Sequence, residues 1–433
     1  MSERQLRSED ELGIAARRRI AILAQGTRGD IQPAISIGDV LAQRGHVVTI
    51  TVNRNLAAWA RRSGLRIIAT EPDYEAILAS SAGHRAINTG RSAALIRMLA
   101  RADRSCNAEV DQACLEAAAD ADLLVSTPMT MCRGATIAER FKLRHGILLP
   151  FPMLPTGSWA GDLSPIRNLR IRSLNRLLHH VTMEVWWHTI GRNVGGLRKH
   201  LGLAPWKRRP RLEEFPAALI FSEHLVPKPR EWAHEHQFVG FCSLSQELRD
   251  RLGELAAPDG LDAWLSMGDA PVYFGFGSIP VRNASESLGL ICEVARRHGV
   301  RALIGSGWSE YGSRGYLSKD LFVAPCFDHD SVLPRCRAAV HHGGAGTTAA
   351  ALRAGLPSIV TSVFGDQRFW GWRVSALGAG MTMPFHKVTV SSLDRALSRV
   401  LAPDVAMCAK ALGAKLRKED GTCRAADVIE GWL

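Results

Sequence analysis

Short apolar runs rich in β-branched residues alternate along the chain with stretches of helical spacing. RIAILAQ, Arg19 to Gln25, is apolar enough for a buried strand, and GTRGDIQP interrupts it. AISIGDVLAQRG then places apolar residues at helical intervals, and HVVTITV reads as a second strand. Pro33 suits the first turn of that helix and Gly45 its C-terminal end. Strand, glycine loop, helix and strand open a parallel α/β sheet. ADLLVST, GATIAERF and RHGILLPF continue the alternation, so the first half reads as doubly wound.

Between Leu219 and Phe241 a strand, a proline-punctuated stretch and another strand look like an inter-domain linker. The rhythm then restarts with PVYFGFGS, SLGLICEVARRHG, VRALIGSG, DLFVAPC, RAAVHHGG and LPSIVTS. The expected division is a tail over 1–17, a first α/β unit over 18–226, a linker over 227–236, a second α/β unit over 237–402 and terminal helices over 403–433.

From Ser164 to His200 the period is helical. Leu174, Leu177, Leu178, Val181 and Val185 form an apolar stripe beside Arg170, Arg172, Arg176 and Trp187. The plain expectation is a core-facing helix with a solvated basic face. The other is a surface that meets lipid or a greasy acceptor.

Composition narrows the class. A chain of 433 residues is long enough for two separate cores. No apolar run approaches the roughly 20 residues of a membrane span, and MSERQLRSEDELGIAARRR lacks the apolar segment of a secretory signal. Nine cysteines without any C-x-x-C pair offer neither a disulfide framework nor a zinc signature, which fits a reducing cytoplasm. The net charge of +12 concentrates between Arg167 and Arg211. No RNP-like, zinc-finger or helix-turn-helix pattern accompanies it, so nucleic acid is not an expected partner. Peripheral membrane contact stays open, and the oligomeric state is unread.

Candidate chemistry gathers where strands meet helices. In AVHHGGAGTTAAALRAG, a strand ends at HHGGAG and a helix begins. Amides and the positive helix end point there, and glycines let the chain approach an anion closely. The loop is neither G-x-G-x-x-G nor the Walker pattern, because no lysine follows the glycines. His341 and Thr347 could donate to phosphate oxygens in its place. Adjacent histidines point to opposite sides, so at most one of His341 and His342 is expected to face the anion. A purely structural glycine turn is the bland alternative.

In VFGDQRFWGWRV, Asp366 and Gln367 suit vicinal hydroxyls, although an aspartate ahead of a helix also reads as a cap. GTRGDIQP holds the corresponding loop of the first half, with Gly26, Arg28 and Gly29 around Asp30. Arg28 and a helix N-terminus beside Asp30 would lower its pKa and keep it ionised, as a base or as a simple cap. FGFGSIP adds Ser278 as a phosphate contact. Asp120 with Asp122, and Asp328 with Asp330, have D-x-D spacing but read as solvated loop acids, and no metal is expected.

HHGGAGTT, the FGDQ-F-W-G-R-V spacing and GTRGDIQP in this order resemble the sterol 3-β-glucosyltransferase and antibiotic glycosyltransferase branch of the family 1 glycosyltransferases. LVPKPREW, VGF, GSGW at Gly305 to Trp308 and the late KEDG extend the resemblance over nearly the whole chain. It implies a GT-B fold of two Rossmann-like domains, with terminal helices crossing back to the first. It also implies metal-free, inverting transfer from a nucleotide sugar, with no cofactor. UDP-glucose is the expected donor and a dTDP-deoxysugar the alternative; the acceptor would be a lipophilic sterol, terpenoid, polyketide or macrolide. A non-catalytic nucleotide-sugar binder is the rival from another class. Position by position, the resemblance makes Asp30 the general base and His341 the diphosphate-binding histidine. It makes Gly343, Gly344, Gly346 and Thr347 the phosphate loop, Ser278 another phosphate contact, and Asp366 with Gln367 the sugar-hydroxyl pair. Trp308 and, less firmly, His342 complete the implied donor set. Ser331 and Arg368 depart from the sterol-type pattern, which loosens what it implies about the base and the donor.

Overall fold

Two seven-stranded sheets organise the chain. The computed structural model describes residues 17–161, 169, 171–255, 257–276, 284–307, 315–325 and 327–433. The first sheet contains β1 (Arg19–Leu23), β2 (Val47–Asn53), β3 (Arg66–Thr70), β4 (Leu123–Ser126), β5 (Arg144–Leu149), β6 (Ala217–Leu219) and β7 (His236–Phe238). Their spatial order is β3-β2-β1-β4-β5-β6-β7, with every pair parallel. The second holds β8 (Val272–Gly275), β9 (Ala302–Gly305), β10 (Gly315–Ser318), β11 (Leu321–Ala324), β12 (Ala338–His341), β13 (Ser358–Ser362) and β14 (Gly380–Pro384). Its order is β10-β11-β9-β8-β12-β13-β14, and β10 against β11 is the antiparallel pair. This is the two-Rossmann GT-B architecture expected from the sequence.

Both orders reverse beside their first strand, at β1/β4 and at β8/β12. Loops leaving the carboxyl ends there diverge to opposite faces and leave a crevice. The loops after β1, β8 and β12 are therefore the ones that can hold a ligand.

Six helices matter for the site: α1 (Arg28–Gln43), α2 (Arg172–Thr189), α3 (Ala345–Arg353), α4 (Gln367–Ala376), α5 (Pro403–Leu416) and α6 (Gly421–Glu430). α1 starts earlier than Pro33 suggests. The Asp30 carboxylate accepts the Thr27 N–H at 2.8 Å, which satisfies an end-of-helix donor and sets the start at Arg28, leaving Pro33 inside. GTRGDIQP is thus mostly the first turns of a helix. Gly45, just past the end, takes φ of 95°.

The chain changes units later than the proline-rich stretch suggests. β7 pairs with β6 in the first sheet, and Leu248 and Leu252 still bury in the first unit's core. After the second sheet, α5 packs on α3 while α6 returns to lie on α1. Ala425, Ala426 and Ile429 join the first core. Glu430 accepts from Arg44 at 2.6 Å and pairs with His46 at 2.9 Å.

The stripe on α2 does not face the core. Asn175, His179, Met183, Trp186 and Trp187 are its buried residues, while Leu174, Leu177, Val181 and Val185 are exposed and Leu178 is half-buried. The helix has two apolar faces, and the one carrying the tryptophans has the larger area to bury.

Candidate active site

Asp30 occupies the first turn of α1, directly beyond the carboxyl end of β1. One carboxylate oxygen accepts from the Thr27 amide at 2.8 Å and the Thr27 hydroxyl at 3.2 Å. Burial nevertheless pushes its pKa up to about 6, against the lowering effect of Thr27. This reverses the expectation of a lowered value. The physical reason is that Arg28 turns away from Asp30: it pairs with Glu254, donates to Gln32 at 3.1 Å and stacks on Trp59 at 5.0 Å. Gly26 is required, because a Cβ there would overlap the Asp30 carboxylate, and its φ is 141°. Gly29 is exposed, and a Cβ there would meet the Thr27 hydroxyl at an ordinary contact distance of 3.7 Å.

Deeper in the first unit are polar groups the sequence reading missed. Gln25 donates to the buried Asp103 at 3.0 Å, and Asp103 also accepts from Asn193 at 2.6 Å. Tyr74 is buried near enough to feel the charges of Asp103, Arg133 and Asp30, and its hydroxyl has no partner among the described residues. These residues come from separate elements, so no local pattern joins them.

On the second unit, His341 ends β12 and is fully buried. Its Nδ1 accepts the Gly343 N–H at 3.1 Å. Burial, then the neighbouring His342 and His329, hold its pKa down to about 3, so the ring is neutral. A neutral imidazole whose Nδ1 accepts carries its proton on Nε2. That Nε2 is buried and has no partner among the described residues. His341 is thus a committed donor waiting for an acceptor.

The loop that holds it then enters α3. Gly344 is the cap residue and supplies no side-chain bond, so the amides of Ala345, Gly346 and Thr347 stay free of a capping acceptor. Gly346 is exposed with open space beside it, room for a bulky anion. Gly343 takes φ of 91°, and a Cβ there would stand 2.5 Å from Val360 and 3.0 Å from the Gln367 carbonyl. Thr347 is half-buried at the helix start, whereas the neighbouring Thr348 is buried and its hydroxyl has no partner among the described residues. His342 is buried beside the Gly275 backbone, and its Nδ1 likewise has no partner among the described residues. His329, a third histidine that the sequence reading did not single out, meets the Tyr273 hydroxyl at 3.2 Å.

Asp366 caps α4, the next loop along. It accepts the Trp370 indole N–H at 2.6 Å, and Gln367 accepts the amides of Val363 at 2.8 Å and Phe364 at 3.2 Å. Burial raises the Asp366 pKa to about 7; the Trp370 bond opposes this and the charge of Asp30 adds to it. Asp30 on one unit and Asp366 on the other therefore sense each other across the cleft. Changing Trp370 to Phe should raise the dissociation constant of a ligand held by Asp366 roughly tenfold, the worth of one hydrogen bond to a charged group. Turnover should change little; titration calorimetry beside a melting curve checks this.

Ser278 and Trp308 lie outside the described residues. Asp328 and Asp330 are not solvated acids: Arg249 bridges both, at 2.8 Å to Asp328, and Arg353 reaches Asp330 at 3.3 Å. Asp120 pairs with Arg19, and Asp122 accepts its amide at 2.8 Å. No group of three or more metal-ligating side chains occurs among the described residues.

Residues 20–139 match the model of the glycosyltransferase family 28 N-terminal domain, and residues 324–424 that of the erythromycin biosynthesis protein CIII-like C-terminal domain. A sterol 3-beta-glucosyltransferase of Arabidopsis thaliana is 31% identical over 423 residues, 94% of this chain and 64% of the plant protein. The chain thus spans a little under two thirds of that relative. An uncharacterized protein of Mycobacterium bovis is 32% identical over 435 residues, 95% of this chain and 96% of its own length. Among solved structures, the glycotransferase of kitacinnamycin superposes with a TM-score of 0.68 at 18% identity, covering 97% of this chain and 100% of that one. The calicheamicin glycosyltransferase CalG4 gives 0.65 at 18%, over 97% and 99%. Likeness at that identity speaks for the fold.

Proposed function

Because the chain belongs to the family 1 glycosyltransferases of the GT-B fold, we propose that it moves a hexose from a nucleotide sugar to a hydroxyl of a lipophilic small molecule, with inversion and without a metal ion. The observation that carries this reading is the unpartnered Nε2–H of His341 beside the uncapped start of α3, on the unit opposite Asp30.

A nucleoside diphosphate leaves only if its growing negative charge is stabilised. The His341 N–H and the α3 amides are fixed donors in a buried setting, and they need no reorganisation as the charge develops. On the other unit, ionised Asp30 takes the acceptor's hydroxyl proton as that oxygen bonds to the anomeric carbon. The sugar–phosphate bond breaks and its electron pair leaves with the diphosphate. Asp366 and the free amide end of Gln367 orient the sugar hydroxyls between the two.

Arg249 engages both Asp328 and Asp330, and Arg19 pairs with Asp120, which supports a metal-free reaction. UDP-glucose is the first donor to test. The departures at Ser331 and Arg368 keep a dTDP-sugar as the second. Incubation with UDP-glucose or dTDP-glucose and a panel of hydrophobic alcohols, read by mass spectrometry, should show a hexose added to at least one acceptor. EDTA should not change the rate. Loss of transfer in EDTA, restored by a divalent cation, overturns the metal-free mechanism.

A further inference from the structure

The outward face of α2 is unusual for a surface helix. Ile171, Leu174, Leu177, Val181 and Val185 are 38–60% exposed at three- and four-residue spacing. At 1.5 Å per residue they make a stripe about 20 Å long. Five of the eleven exposed large hydrophobic side chains among the described residues lie in this one span. A shallow depression of about 510 Å³ runs along it from Leu177 to Thr189 and is lined by that helix alone. Isolated exposed apolar residues mean nothing, whereas a contiguous row marks a surface that is covered in use.

The charge around the stripe says by what. Residues 171–211 hold nine Lys and Arg against a single acid, Glu184, although Arg198 is buried on Glu139 and Arg211 reaches Glu214. Glu184 is already engaged by Arg209 at 2.9 Å, and the same arginine reaches His180 at 3.2 Å, which places the 207–211 segment alongside the stripe. Exposed Lys207 and Arg208 show no ion-pair partner among the described residues. At the other end, Arg172 and Arg176 share one carboxylate, Glu231. An apolar row flanked by excess positive charge is complementary to a bilayer with anionic headgroups. A second copy of the chain would bring two like-charged patches together.

We propose that the outer face of α2, with the basic segment 207–211 beside it, docks this protein on an anionic lipid surface. No helix among the described residues is long and apolar enough to cross a membrane. The proposal stands on this face and does not depend on the transfer reaction.

The test is sedimentation of the full chain with vesicles of phosphatidylcholine alone or mixed with phosphatidylglycerol. The protein should pellet with the mixed vesicles at low salt and be released at high salt. Leu177→Glu combined with Val181→Glu should cut the bound fraction roughly tenfold at an unchanged melting temperature, because both side chains are already in solvent. Lys207→Ala with Arg208→Ala should weaken binding to the mixed vesicles in the same direction. Leu177→Ser with Val185→Ser serves as a milder pair should the glutamates perturb folding. Equal pelleting of wild type and variants overturns the proposal. So does light scattering that shows a dimer which the Leu177→Glu, Val181→Glu chain converts to a monomer.

Discussion

Asp30→Asn should lower kcat by about 10²- to 10⁴-fold, the range that a positioned general base supplies, while sugar-nucleotide affinity stays close to wild type. Asparagine keeps an oxygen to accept the Thr27 amide, so α1 retains its start. It cannot take a proton. The wild-type kcat/KM should fall about tenfold per pH unit below about 6, where burial places the Asp30 pKa, and the residual rate of the variant should lack that limb. Stability should move the other way. The folded-state value of about 6 lies above the ordinary 3.8, so between those values the folded chain holds a proton that the unfolded chain has released. The group's contribution is full below about 3.8 and is lost as pH rises through 6. Asp30→Asn should therefore raise the melting temperature at pH 7.5 and not at pH 3.5, by an amount equivalent to at most about 3 kcal/mol. A variant that is fully active, or that is destabilised at pH 7.5, removes Asp30 from the role of a desolvated general base.

His341→Ala is the second large effect. Under the proposed mechanism it deletes the one side-chain N–H that joins the α3 amides at the leaving diphosphate, and it should cost roughly 10²- to 10³-fold in kcat, as loss of a single fixed donor does where charge develops. The Gly343 amide also loses its acceptor, so part of the change will appear as lower stability. His341→Gln, which can accept at one end and donate at the other, should recover some of the rate where alanine recovers none. Since burial holds the imidazole at about 3, no pH limb near 6.5 should belong to it. Pre-steady-state measurement of diphosphate release from both variants checks this.

These residues show how far a sequence can be read. The strand end before GTRGDIQP and the strand end and helix start at HHGGAGTT lie in local order, which is what periodicity and glycine placement report, whereas α1 begins at Arg28 and not at Pro33. The acidity of Asp30 was misjudged because its sequence neighbour Arg28 is drawn off by Glu254 and Trp59, more than 25 residues distant in the chain. Asp328 and Asp330 were misread for the same reason, since their partner Arg249 lies 79 and 81 positions away. On α2 the period was right and the facing wrong. Two apolar stripes share the helix, and burial was decided by Trp186 and Trp187 on the inner one. Tyr74, Asp103 and His329 carry no signal that could have marked them, because only the fold brings them near Asp30 and His341.

The return of α6 to the first unit bears on how such enzymes can be recombined. α5 rests on α3, but Ala425, Ala426 and Ile429 of α6 are built into the core around α1, and Trp432 beyond them presses on Gly146 of β5. A graft that exchanges everything after one crossover would import a foreign helix into the native first unit and leave its core mismatched. A chimera that exchanges the second unit should instead be cut twice, between Leu252 and Leu261 and again between Leu416 and Gly421, so that the last helix stays with the sheet it packs on.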